Sequence, residues 1–111
     1  MNTKAKYYPK NKLNLKPDVE GVEMWAVSLA KTQFTYFEVE PHKSFEGHTH
    51  ESEQITMVLE GELFFEFEDE SFCVKKDEVI AVPSNIFHSV YTKEKAVKAV
   101  DAWSPIMEKY K

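Results

Sequence analysis

The chain has 111 residues, 42% of them hydrophobic, and a formal net charge of -5, which allows one core but leaves little room for a second domain. The negative balance argues against general affinity for nucleic acid phosphates, and apolar runs of only a few residues argue against a membrane span. One cysteine, Cys73, excludes an internal disulfide framework; the opening residues lack the apolar stretch of a signal peptide, so a cytoplasmic location is expected.

Residues 1–20 read as a basic arm, in which Lys4, Lys6, Lys10, Lys12 and Lys16 all precede the first acid, Asp18. Such an arm is either a solvated tail or, through Tyr7, Tyr8, Leu13 and Leu15, a segment packing on a partner subunit. Residues 21–111 read as one domain whose apolar period is close to two, the mark of strands with one buried face. Residues 22–30 and 34–40 are rich in β-branched and aromatic side chains and read as strands, the second closed by Pro41. Residues 53–59 form the next, Glu60-Gly61 reads as a hairpin turn, and 63–68 pair back with Leu63, Phe65 and Phe67 on the buried face. After the turn at Asp69-Glu70, residues 71–74, 79–82, 87–92 and 97–102 follow as short strands, and only 105–111 looks like a terminal helical turn. Short strands at close spacing imply an antiparallel sandwich or barrel.

Several single residues carry expectations of their own. Cys73 reads as a buried inert thiol. Trp25 and Trp103 read as core or dimer packing. His42, beside Pro41, reads as an exposed loop histidine, and Tyr36, Met57, Phe65 and Tyr91 are candidates for a pocket wall.

The strongest chemical signal is His48, His50, Gln54 and His88. In a strand, His48 and His50 project to the same side about 6–7 Å apart, close enough to lean onto one ion. Gln54 has the same parity, but a straight strand would carry it about 13 Å beyond His50, so residues 51–53 must turn or bulge to return it. Glu53 then points away from the histidines. His88 must arrive by strand pairing in a sheet rolled up enough to face the others, which predicts a barrel. The ligand types suit one divalent transition ion.

With these residues in view, the chain resembles a small single-domain cupin. The first cupin motif has a glycine, an H-x-H pair, an acid or glutamine four or five residues on, and a later glycine. Gly47, His48, His50, Gln54 and Gly61 correspond, with Gly47 abutting His48 where the family spaces it farther upstream. The second motif runs glycine, five residues, P-x-G, two residues, histidine; Asp77, Pro83, Asn85 and His88 stand there. Asn85 replaces a glycine but tolerates the left-handed conformation, and Asp77 suits a turn.

The resemblance implies an all-β, cupin-type double-stranded β-helix, or jelly-roll barrel, working as a homodimer on a small-molecule ligand. It also implies one iron, zinc, nickel or manganese ion per chain, held by His48, His50, Gln54 and His88. Two functions from different classes follow. One is a metal-dependent enzyme acting on a small polar or sugar-acid-like molecule by dioxygenation, isomerisation or ring opening. The other is a non-catalytic, metal-organised module that binds or senses a small ligand. Gln54, where the family often has glutamate, leaves the ion its full double positive charge, making it a stronger Lewis acid in a weaker site.

Overall fold

The period of two along the chain becomes alternation of burial, though the buried face is not always the apolar one. In a computed structural model that describes residues 4–111, the strand Gln33–Val39 buries Gln33, Thr35, Phe37 and Val39 and turns Phe34, Tyr36 and Glu38 outward. Among the described residues, the ten strands make two antiparallel sheets. β1 (Lys16–Pro17), β2 (Val22–Ser28), β3 (Gln33–Val39), β10 (Val97–Ser104), β5 (Glu53–Glu60) and β8 (Val79–Val82) lie side by side in that order. The second sheet has the order β4 (Ser44–His48), β9 (His88–Tyr91), β6 (Glu62–Glu66) and β7 (Ser71–Lys75). This is the jelly-roll barrel expected from the sequence.

The inward faces of both sheets form the core, where Val58, Phe65, Val82 and Val97 are buried. Three-residue 3-10 turns at Lys10–Lys12 and Glu108–Tyr110 complete the chain, and the second places Tyr110 against Phe37 and Trp103 with ring centroids 5.4 and 5.6 Å apart. No helix among the described residues is long and apolar enough to cross a membrane.

Three expectations need correction. Glu60-Gly61 does not close a hairpin: β5 pairs with β10 and β8, whereas β6 pairs with β7 and β9 in the other sheet. Gly61 (φ +85°) is a corner at which the chain changes sheets, and a Cβ there would lie 2.2 Å from the Ala96 carbonyl oxygen. A period of two cannot distinguish a hairpin from a corner, since both reverse the chain after one turn. Cys73 is exposed, because Val74 takes the inward position of β7. Tyr36, Met57 and Tyr91 lie outside the barrel wall; of the four pocket candidates only Phe65 faces the interior.

Two departures from the motif are explained by the backbone. Asp77 and Asn85 both adopt positive φ, 69° and 62°, where glycine is the usual residue and Asp and Asn are tolerated. Each also ties its turn down, Asp77 donating its N–H to the Val58 carbonyl at 2.7 Å and Asn85 to the His50 carbonyl at 2.8 Å.

Candidate metal centre

Strand pairing brings the four sequence-predicted residues together. His48 ends β4 and is the register partner of His88, which opens β9, so two histidines 40 positions apart become cross-strand neighbours. His50 lies just past the end of β4, held where Asn85 donates to its carbonyl and the Ser84 hydroxyl donates to the carbonyl of Glu51. The bend at residues 51–52 returns the chain so that Gln54, near the start of β5, faces the same space from the other sheet, while Glu53 is exposed. His48, His50 and His88 each present a ring nitrogen within 4.8 Å of the other two.

The hydrogen bonds determine which nitrogen is free. Nδ1 of His48 meets the Glu46 carbonyl at 2.7 Å, Nδ1 of His50 the Ser52 carbonyl at 2.7 Å, and Nδ1 of His88 the Ile86 carbonyl at 2.8 Å. A carbonyl only accepts, so in each ring Nδ1 carries a proton, and whenever the imidazole is neutral Nε2 holds its lone pair. The same contact fixes each ring's orientation, as backbone partners do for metal-binding histidines. Burial pushes His88 below the ordinary histidine pKa; the Ile86 carbonyl opposes this, and His48 and His50 reinforce it.

Two features show that this arrangement fits a cation. His88 Nε2 is buried with no hydrogen-bond partner, a costly state for a polar atom unless something else meets it. His50 Nε2 lies 3.1 Å from Gln54 Oε1, so in the neutral ring two acceptors face one another. That spacing is close to the roughly 3 Å separating adjacent ligands on an ion with bonds of about 2.1 Å.

The orientation of the Gln54 amide has a cause that sequence reading missed. Asp101 is buried on β10 and accepts from the Thr35 hydroxyl at 3.1 Å and from the Thr56 hydroxyl in a very short bond. With its proton directed at Asp101, Thr56 Oγ1 accepts from Gln54 Nε2 at 2.9 Å, which leaves Gln54 Oε1 for the histidines. On the other side, Thr35 Oγ1 accepts from the Trp103 indole N–H at 2.9 Å. Full burial pushes the Asp101 carboxyl up to about 6, against the downward pull of Thr56, Thr35 and Gln54. The available signal was Asp101 itself, a charged residue at an inward position between Ala99 and Trp103.

The centre opens onto a cavity of about 610 Å³, within the size range of small-molecule sites. Its walls are mainly apolar, including Phe37, Leu63, Phe65, Val90 and Val97, and Lys109 is the only cationic lysine side chain among its described lining residues. His42 is exposed in its loop and does not line the cavity, while Trp103 is a buried wall residue.

Comparison with known proteins agrees with this architecture. The family described as "Cupin domain" matches residues 35–103, more than half of the chain and all four residues of the centre. Among solved structures, KdgF from Halomonas sp. superposes with a TM-score of 0.84 at 17% identity, covering 94% of this chain and 98% of that one. An RmlC-like cupin from Shewanella frigidimarina gives 0.87 at 14% identity over 100% of both chains. The Schizosaccharomyces pombe Cnp3 cupin domain gives 0.74 at 15% identity over 93% of this chain and 76% of that one. A search of curated proteins finds no significant match. Sequence motifs, barrel topology and family match thus coincide, and the chain belongs to the cupin family.

Proposed function

We propose that this protein is a metal-dependent enzyme acting on a small molecule that brings oxygen atoms to a single divalent transition ion, held by His48, His50, His88 and Gln54. The observation that carries the reading is the convergence of three Nδ1-protonated imidazoles with the Gln54 carbonyl oxygen, around a buried Nε2 that has no other partner. Once bound, such an ion would act as a Lewis acid on a carbonyl, enolate or carboxylate oxygen, in a site with positions left open.

The chain's own residues define the rest. The carbonyls of Glu46, Ser52 and Ile86 hold the rings in one tautomer, and the Asp101–Thr56 pair holds the Gln54 amide. Apolar walls contributed by both sheets line the cavity and would receive the body of the ligand. The sequence contains no arginine, so a sugar acid would find no guanidinium fork for its carboxylate. The walls therefore favour a ligand whose oxygen atoms cluster at one end.

The second reading, a non-catalytic binding module, draws support from Asp101. This buried carboxylate in the cavity wall has both oxygens already engaged by threonine hydroxyls and is poorly placed to move a substrate proton.

Elemental analysis of the purified full-length protein tests the shared part of both readings, and close to one equivalent of a transition metal per chain is expected. A cobalt-substituted sample then separates them. An absorption spectrum shifted by small carboxylates or diketones supports an open, substrate-binding ion, and an unresponsive one supports a closed structural shell. Failure to take up metal after reconstitution would remove both.

Gln54 offers a finer test. Thr56 already gives its proton to Asp101, so position 54 must supply a donor, which glutamine has and ionised glutamate lacks. Gln54→Glu is expected to cost the metal-free protein about 1–3 kcal/mol through an unpaired carboxylate next to Asp101. It should also bind divalent metal more tightly, so that metal raises the melting temperature more than in the parent. An equal or smaller metal-induced shift, measured by differential scanning calorimetry, would show that Gln54 does not face the ion.

A further inference from the structure

We propose, on the metal-binding reading of this centre, that Gly47 and Phe87 are a positioning pair whose contact aims the rings of His48 and His88 as one unit. The pair stands between the two ligands and the carbonyls that hold them. His48 Nδ1 meets the carbonyl of Glu46 and His88 Nδ1 that of Ile86, so each clamp spans a single residue, Gly47 within β4 and Phe87 just before β9. Those two intervening residues pack on each other: a Cβ at Gly47 would lie 2.2 Å from Cζ and 2.7 Å from Cε1 of the Phe87 ring.

Gly47 is where His48 acquires its direction. Phe45 pairs with Val90 and His48 with His88, so β4 advances three residues while β9 advances two, and a bulge lies at Glu46 and Gly47. Without the extra residue, the period of two would point Phe45 and His48 to opposite sides. With it, both line the cavity. β4 is the edge strand of its sheet, and a bulge at a glycine there is a loose joint, because glycine has the widest backbone freedom of any residue. Gly21 and Gly61 have positive φ and Gly47 does not, so what the site needs at position 47 is space rather than an unusual conformation.

The Phe87 ring fills that space. Phe87 is 61% exposed and does not line the cavity, so neither core burial nor contact with a bound molecule accounts for a large apolar side chain at this position. An aromatic ring laid across from an edge-strand glycine supplies the packing that the glycine lacks and so fixes the register of the two strands. Here that register is the one that pairs His48 with His88, whose ring centroids are 4.6 Å apart. His50 stands outside this unit, past the end of β4, with its Nδ1 held by the Ser52 carbonyl.

Imidazole nitrogen NMR spectra of the metal-free, full-length protein at about pH 8, where histidine is neutral, are expected to show His48, His50 and His88 each in one tautomer with the proton on Nδ1. In Phe87→Ala, His48 and His88 should shift toward a mixture of tautomers while His50 keeps its own. Zinc affinity by isothermal titration should fall about tenfold, the low end of what losing a partner of a metal ligand costs. The circular dichroism spectrum and the urea midpoint should stay close to the parent's. Gly47→Ala should weaken zinc binding to a similar degree, because its methyl group displaces the ring. In the Phe87→Ala background the same substitution should cost less than about twofold, since the atoms it meets are gone, whereas independent residues would give about 100-fold in combination. Tautomers unchanged in Phe87→Ala would overturn the proposal, as would undiminished zinc affinity, a change that reaches His50 equally, or additive losses in the double variant. The tautomer comparison needs no metal, so it decides this coupling even if the parent takes up no zinc, the separate result that would defeat the centre itself.

Discussion

Alanine at His88 is expected to lower metal affinity by more than about 100-fold, since altering a mere outer-shell partner of a ligand already costs 10- to 100-fold. His88 is the most buried of the three histidines, at 1% exposure, and it brings the one Nε2 with no partner inside the protein. Removing it therefore deletes a ligand and relieves an unpaired buried atom in the same step. The metal-free fold should change in stability far less than the metal-bound fold, a split that isothermal titration with zinc and paired thermal melts would reveal.

Acidification should act in the same direction. A bound imidazole must be neutral, so metal affinity falls as pH drops. Burial also holds His88 below its ordinary value of 6.5, so the unfolded chain takes up that proton before the folded one as pH falls. The metal-free fold then loses stability from about pH 6.5 downward, and His88→Ala should flatten this slope. Affinity unaltered by His88→Ala would place the metal elsewhere and defeat the proposed centre.

Asp101→Ala should be the most destabilising change at the site that touches no proposed ligand directly through a metal bond, at about 2–4 kcal/mol by urea unfolding. It removes the acceptor shared by the Thr35 and Thr56 hydroxyls and opens space in a wall lined by Ala99 and Trp103. It also frees Thr56 to donate toward Gln54, which lets the amide turn its nitrogen toward His50. Metal affinity should drop by about 10- to 100-fold even though no ligand has been removed. Asp101→Asn keeps the shape and one acceptor oxygen, so both losses should be smaller. Full metal affinity in Asp101→Ala would show that the Gln54 orientation does not depend on this chain of hydrogen bonds.

Much of this protein was legible from its residues one at a time. The near-two periods of 34–40 and 53–59 point to strands, because successive side chains on a pleated strand face opposite sides, although the buried face of the second is Gln54, Thr56 and Val58, with Ile55 and Met57 outward. The spacing of His48, His50 and Gln54 already demanded a bend at 51–53, and the structure has it at residues 51–52. Asn85 and Asp77, read as substitutes for motif glycines, sit in the left-handed region that makes the substitution intelligible.

Other features depend on which strands become neighbours, and period two carries no information on that. Gly61 marks a change of sheet that resembles a hairpin in sequence, and Cys73 is exposed because Val74 takes the interior of β7. His88 finds His48 only through the β4–β9 register, and Asp101 reaches Thr35 and Thr56 only because β10 lies between β3 and β5. Sequence by itself determined which residues share a face of each strand, since that follows from local geometry. The tertiary structure decided which faces meet, since that depends on pairing between segments far apart in the chain.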